Sequence, residues 1–246
     1  MKINGKAYCL FEQSGTFRDS FKRAGIQAEC VDIDNQDGQT DHIVDLFEAI
    51  EQAYDGKPSF LDRITPDDFV MAFFPCIHFC DLATKYYDLT SVNYRTYSHR
   101  QKAEYAIKKS NEMVRFYQLL LKLVTIAETK KIRLVVENPF FGATLMKTLF
   151  RNPDFIDYDR AKGGDFFKKP TAYWFYNCNP EPGPLVIKIN KKNQKKILNT
   201  KRSESSGACS LDRSRISSTY ADNFVRCKIL GNDCTEKLGN QQLTLL

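Results

Sequence analysis

The sequence predicts an α/β fold of the Rossmann type, in which a mostly parallel sheet carries helices on both faces. The first indication is that short apolar runs alternate with segments of helical spacing along much of the chain. The second is a strand-like run that leads through a turn at Gly15 into a helix. The third is that the next strand ends in the acids Asp32 and Asp34. Together these features are typical of the nucleotide-binding or nucleoside-binding half of such folds.

The same patterns predict the individual elements. Apolar runs predict strands at residues 6–11, 28–33, 67–74, 131–136, 171–176 and 185–189. Gly25 is expected to end the first helix. Helical spacing predicts helices at residues 17–24, 43–54 and 102–129. We expect three regions, namely a main domain, a basic loop and a C-terminal segment that returns to the main domain, at residues 1–176, 177–212 and 213–246.

The composition is that of a globular protein rather than a disordered or fibrous one. Apolar residues make up 42% of the 246 residues and charged residues 27%, both close to the averages of globular domains. No apolar run approaches the roughly 18 residues of a membrane span, and the N-terminal residues lack the apolar stretch of a secretory leader. We therefore expect a cytoplasmic protein without membrane contacts. The cysteines include no Cys-x-x-Cys pair, so no metal site is predicted.

Positive charge is concentrated in one segment of the chain. The net charge is +6, and residues 188–202 contain seven basic residues and no acid. Such a segment fits a polyanion as partner, and a solvated loop explains it almost as well. Three of its lysines are candidate substrate contacts, namely Lys191, Lys192 and Lys195.

Three predicted strands end in residues that are able to carry chemistry. These ends are the stretch from Phe11 to Gly15, the pair Pro75-Cys76 and the pair Glu137-Asn138. Because the carboxyl ends of parallel strands share one edge of a sheet, we expect the three ends to meet there. Each also has a structural interpretation, since most buried cysteines are inert and Pro139 alone explains a turn after Asn138.

In their order along the chain, these motifs resemble those of the DNA cytosine-5 methyltransferases. The family's cofactor loop reads Phe-x-Gly-x-Gly, and the similar loop here has a single glycine, with Glu12 and Ser14 in the other places. Asp32 matches the acid that binds the ribose, and Asp45 loosely matches an acid near the adenine. The resemblance implies S-adenosylmethionine as the cofactor and these residues around it: Phe11, Gly15, Thr16, Phe17, Asp32, Asp45 and Pro75.

The resemblance is most specific in the catalytic motifs. The loop Pro75-Cys76-Ile77-His78-Phe79-Cys80 is similar to the family's Pro-Cys-Gln-x-Phe-Ser loop, and Glu137-Asn138-Pro139 is similar to Glu-Asn-Val. The stretch from Arg213 to Ala221 resembles the last motif, whose helix closes back on the cofactor domain. The matched region extends from about residue 7 to about residue 230.

This resemblance implies a compact and divergent DNA (cytosine-5) methyltransferase, and the compact size favours the hypothesis of a phage or mobile-element enzyme. A cytosine is flipped out of the DNA helix, and the thiolate of Cys76 adds to C6 so that C5 takes the methyl group. Glu137 protonates or hydrogen-bonds N3, and Asn138 holds Glu137 and the loop in place. The region 1–176 is then the cofactor-binding catalytic domain.

Two departures from the family pattern concern the substrate. The family's Gln-x-Arg-x-Arg motif, whose arginine supports the base oxygen, is absent, and Lys169 is the candidate substitute. Residues 177–212 are too few for an ordinary target-recognition domain, so we expect a very small one or none. The expected partner is DNA. A monomer and a second protein that supplies target specificity are both compatible with the sequence.

Three other functions are compatible with the sequence. A degenerate relative would bind the cofactor or DNA without methylating. An amino-group DNA methyltransferase would use Asn138-Pro139-Phe140-Phe141, which is similar to the Asn-Pro-Pro-Phe signature of that class. A nucleic-acid-binding module on a Rossmann scaffold would bind DNA whether or not Cys76 is present.

Overall fold

The computed structural model describes residues 1–79, 81–90, 94–140, 151–185 and 215–232. The strands within these residues are β1 (Ala7–Leu10), β2 (Ala28–Asp32), β3 (His42–Ile43), β4 (Phe69–Ala72), β5 (Arg133–Pro139), β6 (Phe155–Asp157) and β7 (Thr171–Tyr176). The α-helices are α1 (Thr16–Arg23), α2 (Leu46–Tyr54), α3 (His99–Lys130) and α4 (Ser218–Phe224). Short 3-10 turns lie at Phe60–Arg63, Asp81–Tyr86 and Arg160–Gly163, and a π-helical turn at Val225–Ile229 continues α4.

The described strands form one sheet in the order β3-β2-β1-β4-β5-β7-β6. The strands from β3 to β5 are parallel, whereas β7 runs antiparallel to both β5 and β6. In the parallel part, Leu10 pairs with Ala72, and Ala72 pairs with Val136. The chain therefore leaves β1 and β4 at the same edge of the sheet, beside Glu137 in β5.

Helices cover both faces of the sheet. Alternate residues of a strand point to opposite faces, so Leu10 belongs to a core with α2 and α3, while Cys9 belongs to a core with α1 and α4. The largest side chain of the first core is Trp174, and Phe224 on α4 packs on Tyr173 in the second with 4.3 Å between ring centroids. The prediction of a mostly parallel sheet with helices on both faces is confirmed.

Two predicted boundaries are wrong for a local reason. Helix α2 begins at Leu46 rather than at residue 43, because Asp45 accepts hydrogen bonds from the first amides of the helix and Ile43 pairs in β3. Strand β5 does not end at Val136, because β7 pairs along it as far as Pro139. Strands β3 and β6, of two and three residues, are too short to give a periodic signal.

Part of the predicted organisation lies outside the described residues. This applies to the strand at 185–189 except Leu185, to most of the basic loop, and to Lys191, Lys192 and Lys195. In the part of the chain that is described, no helix combines the length and apolar character needed to cross a bilayer.

Candidate functional site

A cleft of about 240 Å³ opens at the carboxyl edge of the parallel strands. The turn after β1, the loop after β4, the end of β5 and the segment before α4 contribute to its walls. Five predicted site residues line it, namely Phe11, Pro75, Cys76, Glu137 and Lys169. The lining also includes charged residues that were not predicted, namely Glu12, Asp37, Arg160 and Arg215.

The turn between β1 and α1 is organised by the buried carboxylate of Glu12. Its Oε1 accepts the backbone N–H of Phe17 at 2.7 Å, and its Oε2 accepts that of Arg18 at 3.3 Å and the thiol of Cys30 at 3.2 Å. Burial raises the pKa of Glu12, while these hydrogen bonds act in the opposite direction. Because Glu12 satisfies amides at the start of α1, that helix end carries a carboxylate where many Rossmann proteins bind a phosphate.

Gly15 belongs to the turn between β1 and α1 and does not line the cleft. Its φ is 70°, and a Cβ at this position would lie 2.6 Å from Nη2 of Arg18. The guanidinium of Arg18 bonds to Gln39 and Asp41, which ties the loop after β2 to the start of α1. Gly15 is therefore needed for backbone conformation and for the placement of Arg18.

The other predicted cofactor residues lie near the same edge but do not line the cleft. Phe17 is buried against Phe224, with 6.0 Å between their ring centroids, and Thr16 contacts the hydroxyl of Ser14 at 3.0 Å. Asp32 ends β2, and burial raises its pKa. Asp45 caps α2 by accepting N–H bonds from its first turn. Their contacts with the cofactor stay predictions.

The loop after β4 presents Cys76 to the cleft. Nδ2 of Asn138, which is fully buried on β5, donates to the carbonyl of Phe74 at 2.9 Å. The ring of Phe74 packs against Phe11, with 5.3 Å between centroids. The backbone N–H of Phe79 donates to the carbonyl of Cys76 at 2.9 Å and closes a turn around the cysteine. The half-buried Cys76 is therefore held from both sides of the loop.

Glu137 and Arg160 form the charged floor of the cleft. Nη1 of Arg160 lies 4.0 Å from Oε1 of Glu137, and both side chains are buried. Burial raises the pKa of Glu137, while the positive charges of Lys169 and Arg160 act against that shift. A carboxyl with a raised pKa holds its proton more readily near neutral pH, which suits a proton donor.

Arg160 is the main site residue that the sequence motifs did not predict. It lies in a 3-10 turn without apolar periodicity, and the contacts that bring it to Glu137 are distant in sequence. The pairing of β6 with β7 and a bond from Arg160 to Thr171, at 3.4 Å, place it beside β5. Its partner Asp165 lies five residues away, and that spacing alone gives no signal for a site.

The segment before α4 completes the cleft. Arg215 and Ile216 line it, and Nη2 of Arg215 pairs with Oδ1 of Asp37 at 2.9 Å across the loop after β2. The hydroxyl of Ser217 accepts the N–H of Tyr220 and so caps α4, which packs against α1. The described residues from Arg215 onward therefore lie beside the cleft and against α1. Arg215 itself was not among the predicted site residues.

Among the described residues, no group of three or more His, Cys, Asp or Glu side chains is arranged to hold a metal ion. No protein-family model matches the chain, and no curated protein matches it in sequence. Any function assigned to the cleft must therefore follow from its own geometry and chemistry.

Proposed function

We propose that this protein is an S-adenosylmethionine-dependent methyltransferase that methylates C5 of cytosine in DNA, with Cys76 as the covalent nucleophile. The observation that carries the proposal is the convergence of Cys76, Glu137 and Arg160 on one cleft at the carboxyl edge of the sheet. A thiol, a carboxyl with a raised pKa and a buried guanidinium are the groups needed to add to a pyrimidine and withdraw electrons from it.

The proposal assigns the fold to the methyltransferase variant of the Rossmann sheet. The order β3-β2-β1-β4-β5 is that of doubly wound nucleotide-binding sheets. Strand β7 is inserted antiparallel between β5 and β6, and it carries Thr171, a partner of Arg160. The inserted strand thereby helps to hold Arg160, which lines the cleft.

The turn after β1 suits a cofactor that carries positive charge and no phosphate. Glu12 occupies the start of α1 and lines the cleft, so a phosphate there would meet a carboxylate rather than vacant amides. S-adenosylmethionine has an ammonium and a sulfonium group, both of which a carboxylate attracts. Gln13 also lines the cleft, and within the described residues its buried Oε1 has no hydrogen-bond partner. That oxygen is an acceptor for an ammonium or a hydroxyl of the cofactor.

In the proposed reaction, Sγ of Cys76 bonds to C6 of the cytosine and the electron pair of the C5–C6 double bond becomes available at C5. Glu137 donates a proton to N3, which draws electron density from the ring. Arg160 and Lys169 lie on the side of Glu137, where a cation supports the base oxygen. Bound S-adenosylmethionine supplies the methyl group. Loss of the C5 proton to solvent restores the C5–C6 double bond as the C6–S bond breaks, which frees the thiolate of Cys76. The proton on N3 returns to Glu137.

The structure favours this reaction over transfer to an amino group. An amino-group enzyme would need the Asn138 side chain in the cleft to hold the target nitrogen. Here Asn138 is fully buried and donates to the carbonyl of Phe74. The last residue of that signature, Phe141, lies outside the described residues.

The first test is methylation of mixed-sequence DNA with labelled S-adenosylmethionine, followed by mass spectrometry of the nucleosides. The wild type is compared with Cys76→Ala and with Cys178→Ala, a half-buried cysteine at the end of β7. We expect 5-methylcytosine from the wild type and from Cys178→Ala and none from Cys76→Ala. Methyladenine or N4-methylcytosine would show that the cysteine assignment is wrong. Cofactor binding without any methylated base would favour the degenerate relative.

A covalent trap tests the bond itself. With 5-fluorocytosine in the DNA and S-adenosylmethionine present, C5 carries both the new methyl group and fluorine after transfer. Fluorine cannot leave as a proton does, so the adduct between Cys76 and C6 persists on a denaturing gel. The adduct should form with the wild type and Cys178→Ala and be absent with Cys76→Ala. Formation of an equal adduct with Cys76→Ala would contradict the assignment of the nucleophile.

A further inference from the structure

Three large apolar side chains that are exposed lie close in sequence to residues that line the cleft. The exposed fractions are 49% for Ile77, 64% for Tyr158 and 46% for Phe166. Each lies within three positions of a residue that lines the cleft, namely Cys76, Arg160 and Lys169. We call Ile77, Tyr158 and Phe166 the rim. Apolar surface of this kind beside a binding cleft is typical of a contact with another molecule.

Two of the rim side chains are aromatic and are held by contacts on one side. The ring of Tyr158 meets that of Phe140 edge to face, with 5.9 Å between centroids. Phe140 is fixed to the end of β5, because its N–H donates to the carbonyl of Pro170 at 2.8 Å. The ring of Phe166 meets that of Phe167 edge to face, with 6.5 Å between centroids, and the backbone N–H of Phe166 donates to Oδ1 of Asp165 at 2.8 Å. Both rings are therefore anchored near the cleft while much of their surface faces solvent.

Lysines that form no close ion pair accompany the rim, although the charge of Lys169 does act on Glu137. Lys162 and Lys168 are exposed, and Lys169 is half-buried at the cleft. Within the described residues, none of the three forms an ion pair, whereas lysines elsewhere, such as Lys6 and Lys130, are paired with carboxylates. Such lysines attract the phosphates of a nucleic acid, and the exposed rings beside them provide surfaces on which its bases stack.

We propose that the rim binds single-stranded DNA, and that the substrate is an unpaired cytosine whose neighbouring bases stack on Tyr158 and Phe166. This inference rests on the proposed function for the identity of the target base. Bases within a duplex are stacked on one another and hide the faces that an aromatic ring could contact. Single-stranded DNA needs no large recognition domain to separate its strands. Residues 177–212 are too few to form such a domain.

Binding of labelled DNA, measured by fluorescence anisotropy without cofactor, tests the rim. One strand of mixed sequence is compared with the same strand annealed to its complement. The variants are Tyr158→Ala and Phe166→Ala, and the control is Tyr54→Ala. Tyr54 is 50% exposed at the end of α2, which leads back to the amino edge of the sheet, away from the cleft. Circular dichroism checks that the variants are folded, as expected for exposed positions.

We expect the wild type to bind the single strand more tightly than the duplex. Each rim variant should weaken binding of the single strand by about 5-fold to 100-fold, the range for loss of one base–aromatic stack. Tyr54→Ala should bind as the wild type does. Lys168→Gln should lower the slope of log affinity against log salt by about 0.7, the value for one phosphate contact to a single strand.

The proposal is overturned if the duplex binds as tightly as the single strand, or if the rim variants behave like Tyr54→Ala. Failure of the proposed function gives a different result. If the rim variants weaken binding of the single strand but no base is methylated, the rim is a DNA-binding surface and the protein is not the proposed methyltransferase. If both rim variants methylate duplex DNA at the wild-type rate, the protein is a methyltransferase and the rim is not its DNA-binding surface.

Discussion

Oδ2 of Asp165 accepts the Nε–H of Arg160 at 2.7 Å, and a second bond joins the same oxygen to Nη2. Both side chains are almost completely buried. The other oxygen of Asp165 accepts the backbone N–H of Ser217 at 3.0 Å. One carboxylate therefore orients the guanidinium in the floor of the cleft and fixes the start of α4, so the two parts of the site are coupled.

Loss of this charge pair should destabilise the protein strongly. Asp165→Asn leaves the guanidinium of Arg160 buried without its nearest counter-charge, so we expect unfolding free energy to fall by about 3–5 kcal/mol. The control is Asp222→Asn, which breaks a pair with Arg23 that is about half exposed and should cost under about 1 kcal/mol. Urea unfolding followed by circular dichroism measures both. Equal effects of the two substitutions would contradict a special role for the buried pair.

The pKa of Glu137 should control the pH dependence of catalysis. Burial raises this pKa, and the positive charge of Lys169 opposes the shift. If protonated Glu137 donates to N3, activity falls as pH rises through its pKa. Lys169→Met removes a charge that favours the carboxylate, so this pKa should rise further and the fall in kcat/KM should move to higher pH.

The measurement is kcat/KM against pH for the wild type, Lys169→Met and Glu137→Gln. Glu137→Gln has no proton to lose, so the falling limb should disappear and the rate should drop by about 100-fold to 10,000-fold. Lys131→Met is the control, since Lys131 lies at the end of α3, away from the carboxyl edge. A limb that moves to lower pH with Lys169→Met would show that another group titrates.

The bond from Asn138 to Phe74 should govern the position of the nucleophile. Asn138→Ala removes a buried donor and leaves a carbonyl unpaired, which should cost about 1–3 kcal/mol of stability. Asn177 is a matched control, because its Nδ2 donates to the carbonyls of Ala127 and Ile132 far from the cleft. Both substitutions should destabilise the fold. Only Asn138→Ala should slow formation of the adduct with 5-fluorocytosine DNA, and comparable slowing by Asn177→Ala would refute the positioning role.

Strand β7 shows how much of the fold was predictable from sequence. Its residues at 171–176 were predicted with the observed limits, because six consecutive apolar, aromatic or hydroxyl side chains are buried on both faces. The start of α2 was not predicted, since Ile43 and Val44 extend the apolar pattern although Asp45 begins the helix. The local pattern of apolar residues thus predicts the position of a buried segment. It does not predict the residue at which a capping side chain, such as Asp45, separates a strand from a helix.

The candidate site also contains residues that could be predicted from the sequence and a residue that could not. Cys76 and Glu137 could be found because each lies at the end of an apolar strand, and the parallel pairing brings these ends together. Arg160 could not, since its position depends on Asp165, Thr171 and the antiparallel pairing of β7. Contacts of this kind join residues whose spacing follows no period, so they emerge only from the folded chain.

The pair formed by Arg215 and Asp37 should close the cleft over the cofactor rather than stabilise the fold. Their side chains are 48% and 31% exposed, so Arg215→Asp should change unfolding free energy by less than about 1 kcal/mol. We expect it to weaken binding of S-adenosylmethionine, measured by calorimetry, because two like charges would then repel across the cleft. Asp37→Arg should weaken binding by itself for the same reason. The double variant restores an opposite-charge pair and should recover most of the affinity, whereas additive losses would show that the two side chains act separately.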